Sequence, residues 1–266
     1  MDTHDVKQVA ARASDHPVLE TTARVGYATS GLLHLLIGWI TLQVARGVSG
    51  TSADQSGALG SLASNNLGKV LLWVAVLGFL GLGIWQAMDA IVGHPGSGSD
   101  AWGGRAKAIA KCLVYLVLSW TSFRFAQGKV SSSRSQTVDF TATLLKGPGG
   151  RVLVVIVGLA VIGVGIYHVY KGWTKKFLQD LEDRPGTWAT QAGRIGYIAK
   201  GVALGIVGIL FVAAGMHESP KEASGLDGAL RTLRDRPFGA GLLVVMALGF
   251  AAYGLYSFSR ARHAKV

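Results

Sequence analysis

A single cysteine, Cys112, stands among 266 residues, so the chain closes no intrachain disulfide and offers no thiolate cluster to a metal. Charge is scarce too: Lys, Arg, Asp and Glu make up 15% of the chain, where soluble domains carry about 25%. Acid is scarcest. The fifteen carboxylates all lie outside the middle of the apolar runs, the nearest being Asp89 at the inner end of the second run. Proton- and cation-coupled pumps commonly depend on intramembrane Asp or Glu, so acid-based coupling is disfavoured. Also missing are a Walker A loop, a G-x-S-x-G elbow, an H-E-x-x-H helix and a C-x-x-C-H heme motif. No catalytic residue, metal ligand or cofactor is therefore nominated, and the expectation is a protein that is not an enzyme. The first 22 residues, with Asp2, Asp5, Asp15 and Glu20, lack the basic-then-apolar order of a cleavable signal. They read as a polar tail ahead of a retained anchor.

What the chain has instead is long apolar runs, at 25–45, 70–92, 108–126, 152–170, 195–215 and 239–258, and a mean hydropathy of +0.37. Each approaches the ~20 residues a helix needs to cross ~30 Å of hydrocarbon. The expected fold is therefore all-α integral membrane, with six transmembrane helices. The surplus of basic residues, +11 net, lies mostly at the flanks of these runs. Membrane topology calls for cations there, so membrane lipids are the expected partners and nucleic acid is not.

The runs are copies. ARVGYATSGLLHLLIG (23–38) recurs as GRIGYIAKGVALGIVG (193–208), and more weakly as GRAKAIAKCLVYLVLS (104–119). Gly38 aligns with Ser119 and Gly208, and Gly31 with Cys112 and Gly201. All are small, so these positions preserve packing room. A second block recurs in step: GALGSLASNNLGKVLL (57–72), DFTATLLKGPGGRVLV (139–154) and GALRTLRDRPFGAGLL (228–243), aligning Gly68, Gly150 and Gly239. Further on, Gly83, Gly165 and Gly254 align. The first block recurs at intervals of 81 and 89 residues and the second at 82 and 89. The chain thus divides into a tail (1–22), repeat 1 (23–93), repeat 2 (104–173), an amphipathic cytoplasmic connector (174–192) and repeat 3 (193–260).

Within each repeat a short amphipathic helix is expected at the interface before spans 2, 4 and 6. In the third copy Leu226, Ala229, Leu230 and Leu233 share one face, opposite Arg231 and Arg234. Pro148 and Pro237 fit the first turns of spans four and six. Two spans per repeat give every copy the same orientation, so the expected arrangement is parallel and pseudo-threefold. Loops on the side of the N-terminus hold 15 Lys and Arg against 11 on the other. That places both termini in the cytoplasm, in the bacterial cytoplasmic (inner) membrane. Tyr27, Trp85, Tyr167 and Tyr197 are expected at the inner boundary, and Trp39, Trp73 and Trp120 at the outer one.

The pattern R-x-G-Y-x-x-x-G followed by GAL-x-x-L, three times over in six helices, resembles the bacterial membrane family known as domain of unknown function 1206. The resemblance runs from about Arg24 to Arg260 and departs in copy two, where Ala106 to Ala108 and Phe140 replace motif letters. It implies a three-repeat membrane protein, with no activity and no catalytic residue to carry over.

Glycine lets helix backbones approach closely in lipid; Gly31, Gly38, Gly201, Gly205 and Gly208 are the expected packing positions, with Gly201 and Gly205 a small-xxx-small pair. Polar positions where the copies differ are the candidate ligand-binding residues: Lys111 and Lys200 (aligned with Ser30), His34 and Tyr115 (aligned with Leu204), Gln86 and His168 (aligned with Ser257). Lining a common axis, they would form a mildly basic vestibule for an anionic solute or headgroup. Plainer readings stand beside this one. His34 fits a neutral interhelix hydrogen bond, and both lysines lie near enough to the inner boundary to snorkel. His34 and His168 differ in depth by roughly 10 Å at 1.5 Å per residue, which disfavours a shared heme. The connector reads as a solvated extension of span four at the anionic leaflet. A scaffold or modulator acting on other membrane proteins or on itself is the leading expectation; a permeation pathway is the alternative.

Overall fold

The computed structural model describes residues 16–92, 101–183 and 185–264. The helices are α1 (Pro17–Ala45), α2 (Gln55–Ala63), α3 (Asn66–Val92), α4 (Ala101–Ala126), α5 (Ser133–Lys146), α6 (Gly150–Trp173), α7 (Thr187–Met216), α8 (Gly225–Arg234) and α9 (Gly239–His263). Six of them, α1, α3, α4, α6, α7 and α9, are long and apolar enough to cross a membrane. Backbone polar groups have no water partner in hydrocarbon, so such runs must satisfy their hydrogen bonds internally as helices. The short α2, α5 and α8 precede spans two, four and six, as the repeat requires. Most of the polar tail lies outside the described residues; its last part, from Pro17, is the first turn of α1, where proline's missing N–H costs nothing.

The corner between each short helix and its span is built the same way three times. A Cβ on Gly68 would overlap the Leu62 carbonyl, one on Gly150 the Leu144 carbonyl, and one on Gly239 the Arg234 and Leu233 carbonyls. Leu62, Leu144 and Leu233 are the last letters of the GAL-x-x-L block. Pro148 and Pro237 sit in the turn itself, two residues before the first helical residue rather than inside it. Gly149 and Phe238, at φ +73° and +61°, complete those turns.

The described helices fall into two compact units. One holds the described residues of Met1–Ser30, Leu62–Lys129 and Ser257–Val266. Here α1 meets α3 backbone to backbone, a Cβ on Gly78 standing 2.7 Å from the Gly26 nitrogen. Between α3 and α4, Ser119 Oγ donates to the Val76 carbonyl at 2.9 Å and Phe79 stacks on Tyr115. Arg24 donates to the Arg262 carbonyl at 2.6 Å, and Arg260 lies over the Tyr27 ring at 4.1 Å. Tyr27 is buried by that contact and Tyr197 by its own cluster, so neither is the boundary anchor expected of it. Trp39, Trp73, Trp120 and Tyr167 are exposed.

The second unit holds Gly31–Ser61 and the described residues of Val130–Tyr256. Its α6 and α7 run antiparallel with glycines every seven residues. Cβ atoms on Gly158, Gly165 and Gly172 would stand 2.8, 2.7 and 2.9 Å from the carbonyl oxygens of Gly208, Gly201 and Arg194. A seven-residue period keeps one narrow face toward its partner along the whole helix. Gly201 pairs in step with Gly208, and Gly165 also faces the Gly205 backbone, a Cβ on it standing 2.9 Å from the Gly205 nitrogen, while the Cβ direction of Gly205 itself meets open space. The α1–α9 pair follows the same rule, with Gly254 facing the Gly31 oxygen at 2.8 Å and Gly38 facing the Ala247 oxygen at 2.9 Å.

Gly38, Ser119 and Gly208, aligned in the sequence, thus meet the carbonyls of the equally aligned Ala247, Val76 and Gly158. Where serine replaces glycine, its hydroxyl fills the gap and bonds the carbonyl. Each observed pair joins the second span of one repeat to the first span of the next, and the last repeat to the first.

Candidate functional site

Two polar assemblies stand out, both in the second unit. The first gathers one short helix from each repeat. Asp227 of α8 is buried and accepts from the Ala53 backbone N–H at 2.9 Å, just ahead of α2. It also accepts from Arg231 Nε at 2.9 Å and faces Arg134 of α5 at 3.8 Å, while Arg231 donates onward to the Thr51 carbonyl. Asp54, also buried, caps α2 by accepting from Gly57 N–H at 3.0 Å and from Ser56 Oγ at 2.6 Å. Ser56 Oγ in turn accepts from the Ser133 N–H at the start of α5. Arg231 is therefore an internal clip rather than a solvated charge. Of these residues only Arg231 stood out in the sequence, and there as the polar face of a short helix rather than as a partner of Asp227. The one signal was an acid shortly before each of two GAL blocks, Asp54 and Asp227.

Burial raises the Asp54 pKa above its ordinary 3.8 against the Ser56 and Gly57 hydrogen bonds, and the Asp227 charge pushes the same way. A carboxyl that holds its proton more tightly when folded makes the fold less stable as pH rises from 3.8 through the raised value, and that loss persists to neutral pH. Asp54→Asn keeps an oxygen for Gly57 and removes this dependence. Melting temperature followed against pH is expected to flatten in the acid range, with neutral-pH stability equal to or slightly above that of the native chain. A drop of more than about 1 kcal/mol would mean that the ionised form is required.

The second assembly is aromatic and cationic. Phe177 is fully buried against Tyr197 (5.3 Å, stacked) and Tyr256 (5.1 Å, edge-on), and a Cβ on Gly193 would strike its ring. The connector is thus not a solvated extension of span four. α6 stops at Trp173, Lys175 turns the chain at φ +58°, and the 3-10 turn Lys176–Asp180 carries Phe177 and Leu181 into the core. Lys171 seals this turn with an ion pair to Asp180 at 2.5 Å. The hydrogen bond to Tyr170 raises the pKa of exposed Lys176 above 10.5, so it stays an ammonium.

Three of the six nominated residues converge on this assembly. His34 lies 4.5 Å from the Tyr253 ring, Lys200 lies over the same ring at 4.5 Å, and His168 lies 5.8 Å from Tyr197, itself 5.3 Å from Tyr253. His34 and His168 thus rest on different rings. Half-buried Lys200 takes a cation–π contact with the Tyr253 ring. The other three belong to the first unit. Lys111 is exposed on α4, and Tyr115 stacks on Phe79 at 6.3 Å. Gln86 is fully buried with neither Oε1 nor Nε2 hydrogen-bonded. Among the described residues no group of three or more His, Cys, Asp or Glu gathers as metal ligands would.

Six membrane-crossing helices in three two-span repeats, closed by short helices at their corners, define a multi-pass membrane protein. The model of the family described as Domain of Unknown Function (DUF1206) matches residues 25–93, 106–175 and 195–264, one match per repeat, and the chain belongs to that family. It is similar to "Uncharacterized protein YxxB" of Bacillus subtilis (strain 168), 29% identical over 248 residues, covering 91% of this chain and 90% of the relative. No solved structure matches the chain.

Proposed function

We propose that this protein is a non-catalytic scaffold or modulator of other envelope components in the bacterial cytoplasmic membrane. The observation that carries the reading is the shared packing rule, in which small residues press directly on facing carbonyls. Pairs packed this closely leave little room for the rearrangement that turnover or alternating access demands, and they suit a rigid support. The pseudo-threefold arrangement belongs to this reading rather than to the observed pairings, each of which lies inside one unit. So does the placement of both termini in the cytoplasm, which the loop charges support. Large exposed apolar side chains on α4, among them Ile109, Leu113, Val117 and Trp120, offer a face to lipid or to a partner helix. Crosslinking in native membranes followed by affinity capture is expected to recover other envelope proteins reproducibly. Recovery of this chain alone would contradict the reading.

One observation favours a second reading, a permeation pathway for a small solute, ion or lipid: the buried, unpartnered amide of Gln86. The two readings part on Gln86→Leu. An amide that serves only packing strands two polar groups in the core, so its replacement is expected to raise stability by about 1 kcal/mol. An amide that lines a pathway makes the substitution abolish potassium chloride flux in proteoliposomes.

A further inference from the structure

The packing leaves a groove of about 440 Å³ on the α6–α7 pair, lined in part by Gly165, Val169, Tyr170, Trp173, Val202 and Gly205. Its size lies in the range of small-molecule sites, about 300–1,000 Å³. It exists because the seven-residue glycine period of α7 skips Gly205, whose Cβ direction meets open space while Gly165 faces its backbone. From Gly165 to Trp173 the floor extends about 12 Å along the helix at 1.5 Å per residue. That length matches a stretch of extended hydrocarbon chain. The groove takes in none of the six nominated residues.

Its chemistry is divided. The wall is apolar, while the two aromatic rings at the end of α6 each carry a cation. Arg194 lies over Trp173 at 5.1 Å and Lys176 over Tyr170 at 4.8 Å. Lys171, the next cation along, is occupied by Asp180. Trp and Tyr at the end of a spanning helix mark the headgroup level, and basic side chains there attract anionic lipid. A hydrocarbon slot that opens at headgroup depth onto two cations has the amphipathic pattern of one class of molecule. Both α6 and α7 are long and apolar enough to span a bilayer made of it.

We propose that this groove holds an acyl chain of an anionic phospholipid, with the phosphate between Arg194 and Lys176. The two cations match a headgroup of net negative charge better than a zwitterionic one, so the site selects by charge at its mouth and by fit along its floor. The aromatic contacts hold both cations at the mouth, so less side-chain freedom is lost when the phosphate arrives. This inference goes beyond the scaffold reading and does not depend on it.

The test is mass spectrometry of lipid retained by the purified full-length protein after exhaustive detergent washing, from membranes holding equal phosphatidylglycerol and phosphatidylcholine. The native chain is expected to retain about one phosphatidylglycerol per chain and to favour it over phosphatidylcholine by about tenfold, the selectivity that 1.4 kcal/mol supplies. Gly205→Leu, which fills the slot, is expected to lose the retained lipid while helix content and elution stay unchanged. The double variant Arg194→Gln, Lys176→Gln leaves the slot open and is expected to lose the preference between headgroups, with Arg194→Lys restoring part of it. Should Gly205→Leu fail to fold, the double variant decides alone. Retention of neither lipid, equal retention of both by the native chain, or an unchanged preference in the double variant would overturn the proposal. So would crosslinks from Val202 to a second copy of the chain in place of lipid.

Discussion

Alanine at Gly68, Gly150 or Gly239 is expected to destabilise the protein by about 3 kcal/mol each, the upper end of what inserting one methyl into a packed interior costs. The methyl would fall on a main-chain carbonyl of the preceding short helix in every case, and a carbonyl that already belongs to a helix cannot rotate away. Relief requires the short helix to lift from its span. In a chain of this size each kcal/mol moves the melting temperature by about 2–4 °C, so a fall of about 6–12 °C in detergent is expected. Gly163 and Gly205 supply the control. A Cβ at either meets nothing within 4 Å, and alanine favours a helix over glycine by up to about 1 kcal/mol, so these two substitutions should leave stability level or slightly raised. Equal losses at all five positions would show that helix flexibility, and not corner geometry, is what glycine supplies.

Asp227→Ala is expected to cost about 2–3 kcal/mol. Breaking a buried ion pair by removing one partner costs about 3–5 kcal/mol. That figure is discounted here because the side chains of Arg231 and Arg134 remain 31% and 48% exposed and are partly screened. What is lost outright is the acceptor for the buried Ala53 N–H and the charge to which Arg231 is clipped. Asp227→Asn retains an acceptor oxygen for Ala53 and should recover part of the loss. Hydrogen exchange localises the effect: the Ala53 amide should lose its protection in Asp227→Ala while amides in the middle of α6 keep theirs. Unchanged exchange at Ala53 would mean that Asp227 does not tie α8 to the start of α2.

The spans, the three copies and the small positions Gly38, Ser119 and Gly208 were legible because period and composition record them redundantly. The substitution of serine for glycine conveyed that packing room is preserved there, and the structure adds that the room lies against a facing carbonyl. Partner choice along a helix was less legible. Gly201, Gly205 and Gly208 offer both a four-residue and a seven-residue spacing, and the antiparallel neighbour α6 shows how each is used: its glycines at 158 and 165 press on Gly208 and Gly201 in step, while Gly205 lends only its backbone to Gly165. Asp54 and Asp227 were missed because each, taken alone, is an ordinary carboxylate at or beside the start of a short helix. Asp227 is held by the Ala53 N–H, 174 positions away, a contact that no local pattern announces. The connector misled for a related reason. Phe177, Leu178 and Leu181 suit one face of a continuing helix, and nothing in the neighbouring letters demands the left-handed turn at Lys175 that sends Phe177 inward. Of the six nominated residues, three met around Tyr197 and Tyr253 because differences between copies do flag polar positions. Such differences carry no information about which neighbour each side chain faces.

The account depends on three hairpins of one design entering the membrane in the same direction. Thr21, Trp102 and Gln191 occupy equivalent positions at the starts of the three repeats, and all are exposed. Thr21→Cys, Trp102→Cys and Gln191→Cys, each made in a Cys112→Ser background, report sidedness through labelling of oriented vesicles with a membrane-impermeant maleimide. The account predicts that all three label from the same side. Labelling of any one from the opposite face would contradict it.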